Sequence, residues 1–300
     1  MSQEIGLNVD PSGWDITPED RGRRIRLWWM VYMVDKWSAL TLGRPSYINE
    51  EEYNVPLPTM DNFPRYNYED LEPPEVGIRQ FIGMAVLTTI LSDILATFYT
   101  LRANTRLQSY SSDLLQLLSD QFEQRLEAFH NTHLTPIYDV HSFLDPTGTI
   151  FLAFHTVKIT LYRAMLRRLD PTDIQYQPFR IRARLILGEV TMLLQTLTVR
   201  RLRVFWWSQL SNHNFAIAGG FMMSLLVTST NDTEIEYWTS QIKLYYDLLQ
   251  SQSVGFDTTK LAAARMSLLS SVSQSAGDEI FSGIDSKQAF CGDFRIELCE

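Results

Sequence analysis

Cysteine is nearly missing from this chain. Only Cys291 and Cys299 occur in 300 residues, both near the end. Two such thiols cannot build a disulfide framework, and by themselves they cannot hold a structural zinc; a reduced intracellular setting fits them best. An excess of basic residues is missing too. Lys and Arg number 26 against 35 Asp and Glu, a net charge of −9, which argues against a nucleic-acid surface as the main purpose of the chain. Residues 1–20 are polar and acidic, so no signal peptide is visible. There is no internal repeat and no run of alternating apolar and polar residues, which leaves an all-α fold with a single compact core as the expected class. The elements of catalysis are also absent. Asn231-Asp232-Thr233-Glu234 is not followed by the downstream carboxylates that magnesium-diphosphate chemistry needs, and no nucleophile and base stand at a telling spacing. An enzyme is not expected.

What is present is organised around Arg23–Pro58. Thr17 is placed to cap a helix, Pro18 suits its first position, and Asp20 stands at the third position of a capping box. Ile25, Trp28, Trp29, Tyr32 and Ala39 follow helical spacing, with Leu27, Val31, Val34 and Leu42 on the other side. A helix apolar nearly all round is expected to be buried. Gly43 and Pro45 end it near residue 42. Two charges here need partners. The spacing predicts a bidentate ion pair between Asp35 and Arg44 that pins the following loop to the helix, the alternative being a solvated Asp35 beside Lys36. The loop over 43–75 holds six prolines and the run Glu50-Glu51-Glu52, expected to be a solvated turn rather than a metal site.

Further helices are expected over 76–102, 111–130, around His155, and over 178–202, 204–230, 233–250 and 257–272. Phe81–Leu101 is long enough to span a membrane. The charge of Asp93 and the small, polar stripe Thr89, Ser92, Ala96, Thr97 and Thr100 instead predict an amphipathic helix of a soluble core. In 178–202, Ile181, Leu185, Val190, Leu193, Leu194 and Leu197 are expected inward, flanked by Arg180, Arg182, Arg184, Arg200, Arg201 and Arg203. A basic patch is the sharper reading of those arginines and helix-end charges the plainer one. His130, His133 and His141 lie in an expected linker over 130–146. They match no helix-borne ligand pair, so no metal is assigned to them. His155 is expected in the core. Asn212-His213-Asn214 and Gly219-Gly220 are expected to break 204–230 into two pieces. Trp206, Trp207, Phe215 and Phe221 could line a ligand cavity or simply fill the core.

The front of the chain resembles the fungal-specific transcription factor domain, the regulatory middle-homology region of fungal binuclear zinc-cluster factors, also described as the xylanolytic-activator type. The residues that carry the resemblance are Arg24, Leu27-Trp28-Trp29, Tyr32, Asp35, Gly43-Arg44-Pro45 and Val55-Pro56-Leu57-Pro58. His155 with Leu161-Tyr162-Arg163 and the apolar segment after Trp207 agree with the looser pattern. Gln3–Leu7 and Asp35–Leu40 are most similar to the branch of coactivators for nitrogen-catabolism genes. The resemblance implies an all-helical regulatory domain over 17–272, preceded by a connection over 1–16 that looks like the end of a family helix. A disordered polar tail is expected over 273–300. It also implies a nuclear protein whose partners are other transcription factors or coactivators and a small-molecule inducer, with no specific DNA binding by this chain and no membrane. The family holds two zinc ions in a cluster of six cysteines. This chain has none, so no cofactor is expected here and zinc is expected only in a cluster upstream. A helical interaction module without ligand sensing is the alternative.

Overall fold

Helix α1 (Pro18–Leu42) is set at both ends by local chemistry. In the computed structural model the Thr17 hydroxyl accepts the Asp20 N–H at 3.1 Å and donates to the Asp20 carboxylate at 2.8 Å. Gly43 stops the helix at φ 62°, a left-handed conformation that L side chains avoid. The structure describes residues 3–64, 75–138, 147–197, 208–253 and 259–268. Trp206, Trp207, His141, Arg200, Arg201, Arg203 and the tail over 273–300 lie outside the described residues.

One face of α1 is fully interior. Trp28, Tyr32, Met33 and Trp37 are all 0% exposed. The other face is not, contrary to the expectation of a helix buried all round. Leu27, Val34 and Leu42 are 42–44% exposed. Trp37 Nε1 donates to Thr88 Oγ1 of α2 (Glu75–Phe98) at 2.9 Å, which locks the two helices in register.

By length and composition α2 could cross a membrane, but most of it is buried inside the protein. Its polar stripe meets partners. Ser92 is buried against the loop after α1, and Asp93 pairs with Arg125 of α4 (Ser112–Phe129) at 2.7 Å. The short α3 (Leu101–Leu107) links α2 and α4.

The expected linker after α4 is helical at its start. His130–Leu134 forms a π-helical turn that runs directly into α5 (Thr135–Tyr138). At the centre lies α6 (Thr147–Leu166), which packs on α2, α4, α7 and α8. It is apolar nearly all round, from Ile150 to Met165. Its buried Thr156 and Thr160 turn their hydroxyls onto the carbonyls of Leu152 and Thr156, each at 2.8 Å, so neither is left without a partner.

Helix α7 covers Tyr176–Gln195, α8 covers Ser208–Val227, α9 covers Asp232–Ser253, and α10 covers residues 259–268. The break expected inside 204–230 does not occur. Residues 208–227 are one helix, and burial of Phe215, Phe221 and Met222 supplies the tertiary support that overrides the two glycines. The helical phase of α7 also differs from the expectation. Ala183, Leu187, Val190 and Leu194 face the core, while Ile181 and Leu185 are 59% and 65% exposed. On α4 and α9, Phe122, Leu126, Trp238 and Tyr245 are inward, while Leu117 and Ile235 are outward.

Candidate functional site: a loop latched onto the first helix

The loop after Gly43 is held by a connected polar network built on two adjacent residues of α1. Asp35 is 9% exposed at its side chain. It accepts the backbone N–H groups of Tyr47 at 2.9 Å and Ile48 at 3.1 Å, and the Ser46 hydroxyl at 2.5 Å. The expected Asp35–Arg44 ion pair is therefore corrected. Arg44 is exposed, and the carboxylate is satisfied by the Ser46 hydroxyl and the backbone amides of Tyr47 and Ile48, two to four residues further on. The loop is pinned as expected, but by amides rather than by a guanidinium. Backbone donors are present whatever the side chain, so residue types alone do not disclose this partner.

Lys36 is 3% exposed at its side chain. Its ammonium donates to Ser46 Oγ at 2.7 Å and to Ile48 O at 2.6 Å, and lies 2.9 Å from Glu50 Oε1. Three donors meet three acceptors, which is what burial of an ammonium requires.

Glu50 opens the 3-10 turn Glu50–Glu52, capped by Asn49. The expectation of a solvated acidic turn fails for this residue. Besides Lys36, it accepts from Tyr32 OH at 3.0 Å, Tyr53 OH at 3.0 Å and Ser92 Oγ at 2.7 Å. Burial opposes its charge. The hydrogen bonds from Lys36, Ser92 and Tyr53 outweigh that and hold its carboxyl below the usual value. Burial and the Glu50 charge push the Tyr53 phenol up to about 12, and burial raises Tyr32 further. Both tyrosines therefore stay neutral donors at any physiological pH.

An aromatic cluster backs the network. The ring centroids of Trp28 and Tyr53 are 5.2 Å apart, those of Trp29 and Tyr32 5.0 Å, and those of Tyr32 and Tyr53 5.4 Å. Trp29 Nε1 donates to Pro56 O at 2.7 Å, which fixes the Val55-Pro56-Leu57-Pro58 segment; Val55 and Pro58 are buried and Leu57 is 43% exposed. Next comes the 3-10 turn Met60–Asn62, seated on Gly22 and Arg26. A Cβ at Gly22 would stand 2.5 Å from Asn62 O, and Arg26 hydrogen-bonds that same carbonyl. Arg24 serves the N-terminal segment. It donates to Ile5 O at 2.8 Å and Gly6 O at 3.0 Å, with its guanidinium 4.4 Å over the Trp14 ring. Asn8 and Asn54 tie that segment to the loop, through Asn54 N–H to Asn8 O at 3.1 Å and Asn8 Nδ2 to Glu52 O at 2.8 Å. Trp28, Trp29, Tyr32, Asp35, Gly43, Pro56 and Pro58 thus meet around one loop, and Arg24 holds the N-terminal segment that is tied to it. Arg44 and Pro45 stay exposed. Lys36, Ser46, Glu50, Tyr53 and Ser92 were missed from sequence. The signal for Lys36 was available, since with Asp35 it is one of two charges in a largely apolar stretch of α1.

The other candidates among the described residues take structural places. Arg180, only 4% exposed, belongs to no basic patch. It donates to Leu225 O at 2.9 Å, Thr228 Oγ1 at 2.8 Å and Ser229 Oγ at 3.1 Å, and pairs with Glu234 at 2.7 Å, so it clamps the turn between α8 and α9. Arg182 pairs with Glu123 at 2.8 Å. His130 and His133 lie against Phe154 and Phe129, with centroids 5.7 Å and 5.1 Å apart. Among the described residues no group of His, Cys, Asp or Glu could hold a metal ion. His155 lies in the core. Burial pushes its imidazole down to about 3, although Glu189 Oε2 is 3.4 Å from Nδ1, because half-exposed Glu189 is screened by water. Phe215 and Phe221 are fully buried core residues. A groove among the described residues lies elsewhere, between Met60, Arg79, Ile82, Thr132, His133 and Pro136. Its volume is about 190 Å³, below the roughly 300–1,000 Å³ usual for ligand pockets.

Residues 1–145, which contain the latched loop, match the family model of the fungal specific transcription factor domain. Relatives extend the likeness. The transcriptional activator protein DAL81 of Saccharomyces cerevisiae is 26% identical over 311 residues, covering 90% of this chain and 32% of the relative. An uncharacterized transcriptional regulatory protein of Schizosaccharomyces pombe is 27% identical, over 56% of this chain and 24% of the relative. An ABC-transporter-regulating transcription factor of Aspergillus fumigatus is 29% identical, over 35% of this chain and 12% of the relative. The chain thus spans at most a third of the length of these three relatives. No solved structure matches it. The family and these relatives are transcription regulators and not enzymes.

Proposed function

We propose that this chain is the regulatory, non-DNA-contacting part of a fungal zinc-cluster transcription factor that acts in the nucleus on metabolic genes transcribed by RNA polymerase II. The observation that carries the reading is the match of residues 1–145 to the family, with the family's signature residues gathered around one loop. The net charge of −9 supports the absence of a DNA-contacting role. In this reading zinc is held by a cysteine cluster elsewhere in the parent protein and this chain binds no cofactor. The resemblance of Gln3–Leu7 and Asp35–Leu40 directs the reading to nitrogen-catabolism genes. The latched loop is the two-state element: a partner that prefers the released or the seated loop shifts the population between them. The partner in this reading is another transcription factor, a coactivator or a small-molecule inducer.

The test is to fuse the chain to a heterologous DNA-binding domain in a fungal reporter strain. The fusion should activate or restrain the reporter, and a loop-releasing Asp35→Ala substitution should change that effect at equal protein level. A silent fusion, or site-selective DNA binding by the chain alone in gel shifts at physiological salt, would count against the reading. Metabolite-dependent thermal shifts would single out the small-molecule inducer, since a ligand at 100 times its Kd adds about 2.7 kcal/mol.

A further inference from the structure

Helix α7 carries an apolar stripe that the core does not use. Ile181, Leu185 and Met192 are 59%, 65% and 59% exposed. Gly188, between the last two, has nothing within 4 Å of the place a Cβ would occupy. The steps from 181 to 185, 188 and 192 are those of a heptad seam, and the stripe lies directly opposite buried Ala183, Leu187, Val190 and Leu194. Ile174, seven residues earlier and 86% exposed, extends the apolar surface beyond the helix start.

The charges beside the seam indicate what fits it. Arg184 and Glu189 flank it on opposite sides. Arg184 lies with its guanidinium 3.6 Å over the Tyr237 ring, which leaves the edges of the fork open. Glu189 is half exposed, and its neighbour His155 is neutral. When two such helices run parallel and in register, the position before one seam residue meets the position five further along the other helix. Arg184 of each copy then faces Glu189 of the other, twice by symmetry. An antiparallel pair would bring Glu189 to Arg182, which already holds Glu123 at 2.8 Å, and would leave Arg184 opposite Thr191.

We propose that the Ile181–Met192 face of α7 is a parallel two-fold contact between two copies of this chain. Ile181, Leu185 and Met192 each meet their own counterpart, and Gly188 lets the helices approach at mid-seam. Two heptads make a small interface, so the association is weak and concentration-dependent.

Sedimentation velocity on the 300-residue chain reads the mass directly. The expected result is a 34.7 kDa monomer at low concentration, moving toward twice that mass at high concentration. Leu185→Glu should hold the chain at the monomer mass with an unchanged far-ultraviolet spectrum; Met192→Lys serves the same purpose if Leu185→Glu folds poorly. Arg184→Glu should weaken association, and adding Glu189→Arg should restore it, which a general loss of folding would not do. With Cys291→Ser and Cys299→Ser in place, Met192→Cys should self-crosslink on oxidation. A monomer at every concentration overturns the proposal and leaves the stripe to a helix of some other protein. Dimers indifferent to Leu185→Glu and Met192→Lys would place the contact on another surface. Crosslinking of Ile181→Cys to Met192→Cys in preference to Met192→Cys with itself would make the pair antiparallel.

Discussion

Lys36 Nζ lies 2.9 Å from Glu50 Oε1, one end of this pair inside the protein and the other 38% exposed. The ion pair joins α1 to the loop, and through Ser92 it joins both to α2. Its energetic weight falls between that of surface and buried pairs. Exposed pairs contribute about 0–1 kcal/mol, whereas breaking a buried one costs about 3–5 kcal/mol.

Removing one partner should therefore cost more than removing both. Glu50→Gln takes the nearest counter-charge from a buried ammonium that keeps Ser46 Oγ and Ile48 O, with Asp35 Oδ2 at 3.8 Å, and Lys36→Met leaves a carboxylate that still keeps three hydroxyl donors. Each single change should destabilise by about 1–3 kcal/mol, with Lys36→Met the milder, and the double change should fall well short of the sum. Urea unfolding of the four proteins gives the cycle. Strict additivity would mean that the two groups act independently.

Asp35 and Arg44 should behave very differently from each other. Asp35→Ala leaves the amides of Tyr47 and Ile48 without their acceptor, while the Ser46 hydroxyl still reaches Ile48 O at 3.0 Å, a loss of about 1–3 kcal/mol. Arg44→Ala removes an exposed side chain and should stay within about 0.5 kcal/mol. Asp35→Asn should fall between, since its oxygen still accepts while its amide adds a donor beside Lys36. The same unfolding assay decides the matter, and equal losses for Asp35→Ala and Arg44→Ala would sink the assignment.

The pH dependence of stability should carry a His155 component of definite sign. Its folded imidazole is pushed down to about 3 from an ordinary 6.5, so the unfolded chain binds a proton there first. Stability is then full above the ordinary value and declines as pH falls from 6.5 toward 3, by about 1.4 kcal/mol per pH unit. Burial lowers His133 and His213 in the same direction, so the difference between the parent chain and His155→Gln isolates the effect. Between pH 6 and 5 the variant should show the shallower slope. Parallel slopes would falsify a neutral, buried His155.

The sequence by itself determined the ends of α1, the helical class and the likeness of its front half to a family model. These are local matters: a hydroxyl three residues before an acid, a glycine where φ must be positive, and a string of residue types at fixed spacing. Only the tertiary structure decided which partners the buried charges take. Asp35 found the amides of Tyr47 and Ile48 rather than Arg44 because a carboxylate accepts from any donor the chain brings near. Glu50 stands beside two other glutamates, and nothing in the run distinguishes the one that reaches Lys36. The outward phase of Ile181 and Leu185 was hidden for a related reason. Apolar residues ring α7, so periodicity permits several faces. The packing of Ala183, Leu187, Val190 and Leu194 against the neighbouring helices selected one of them.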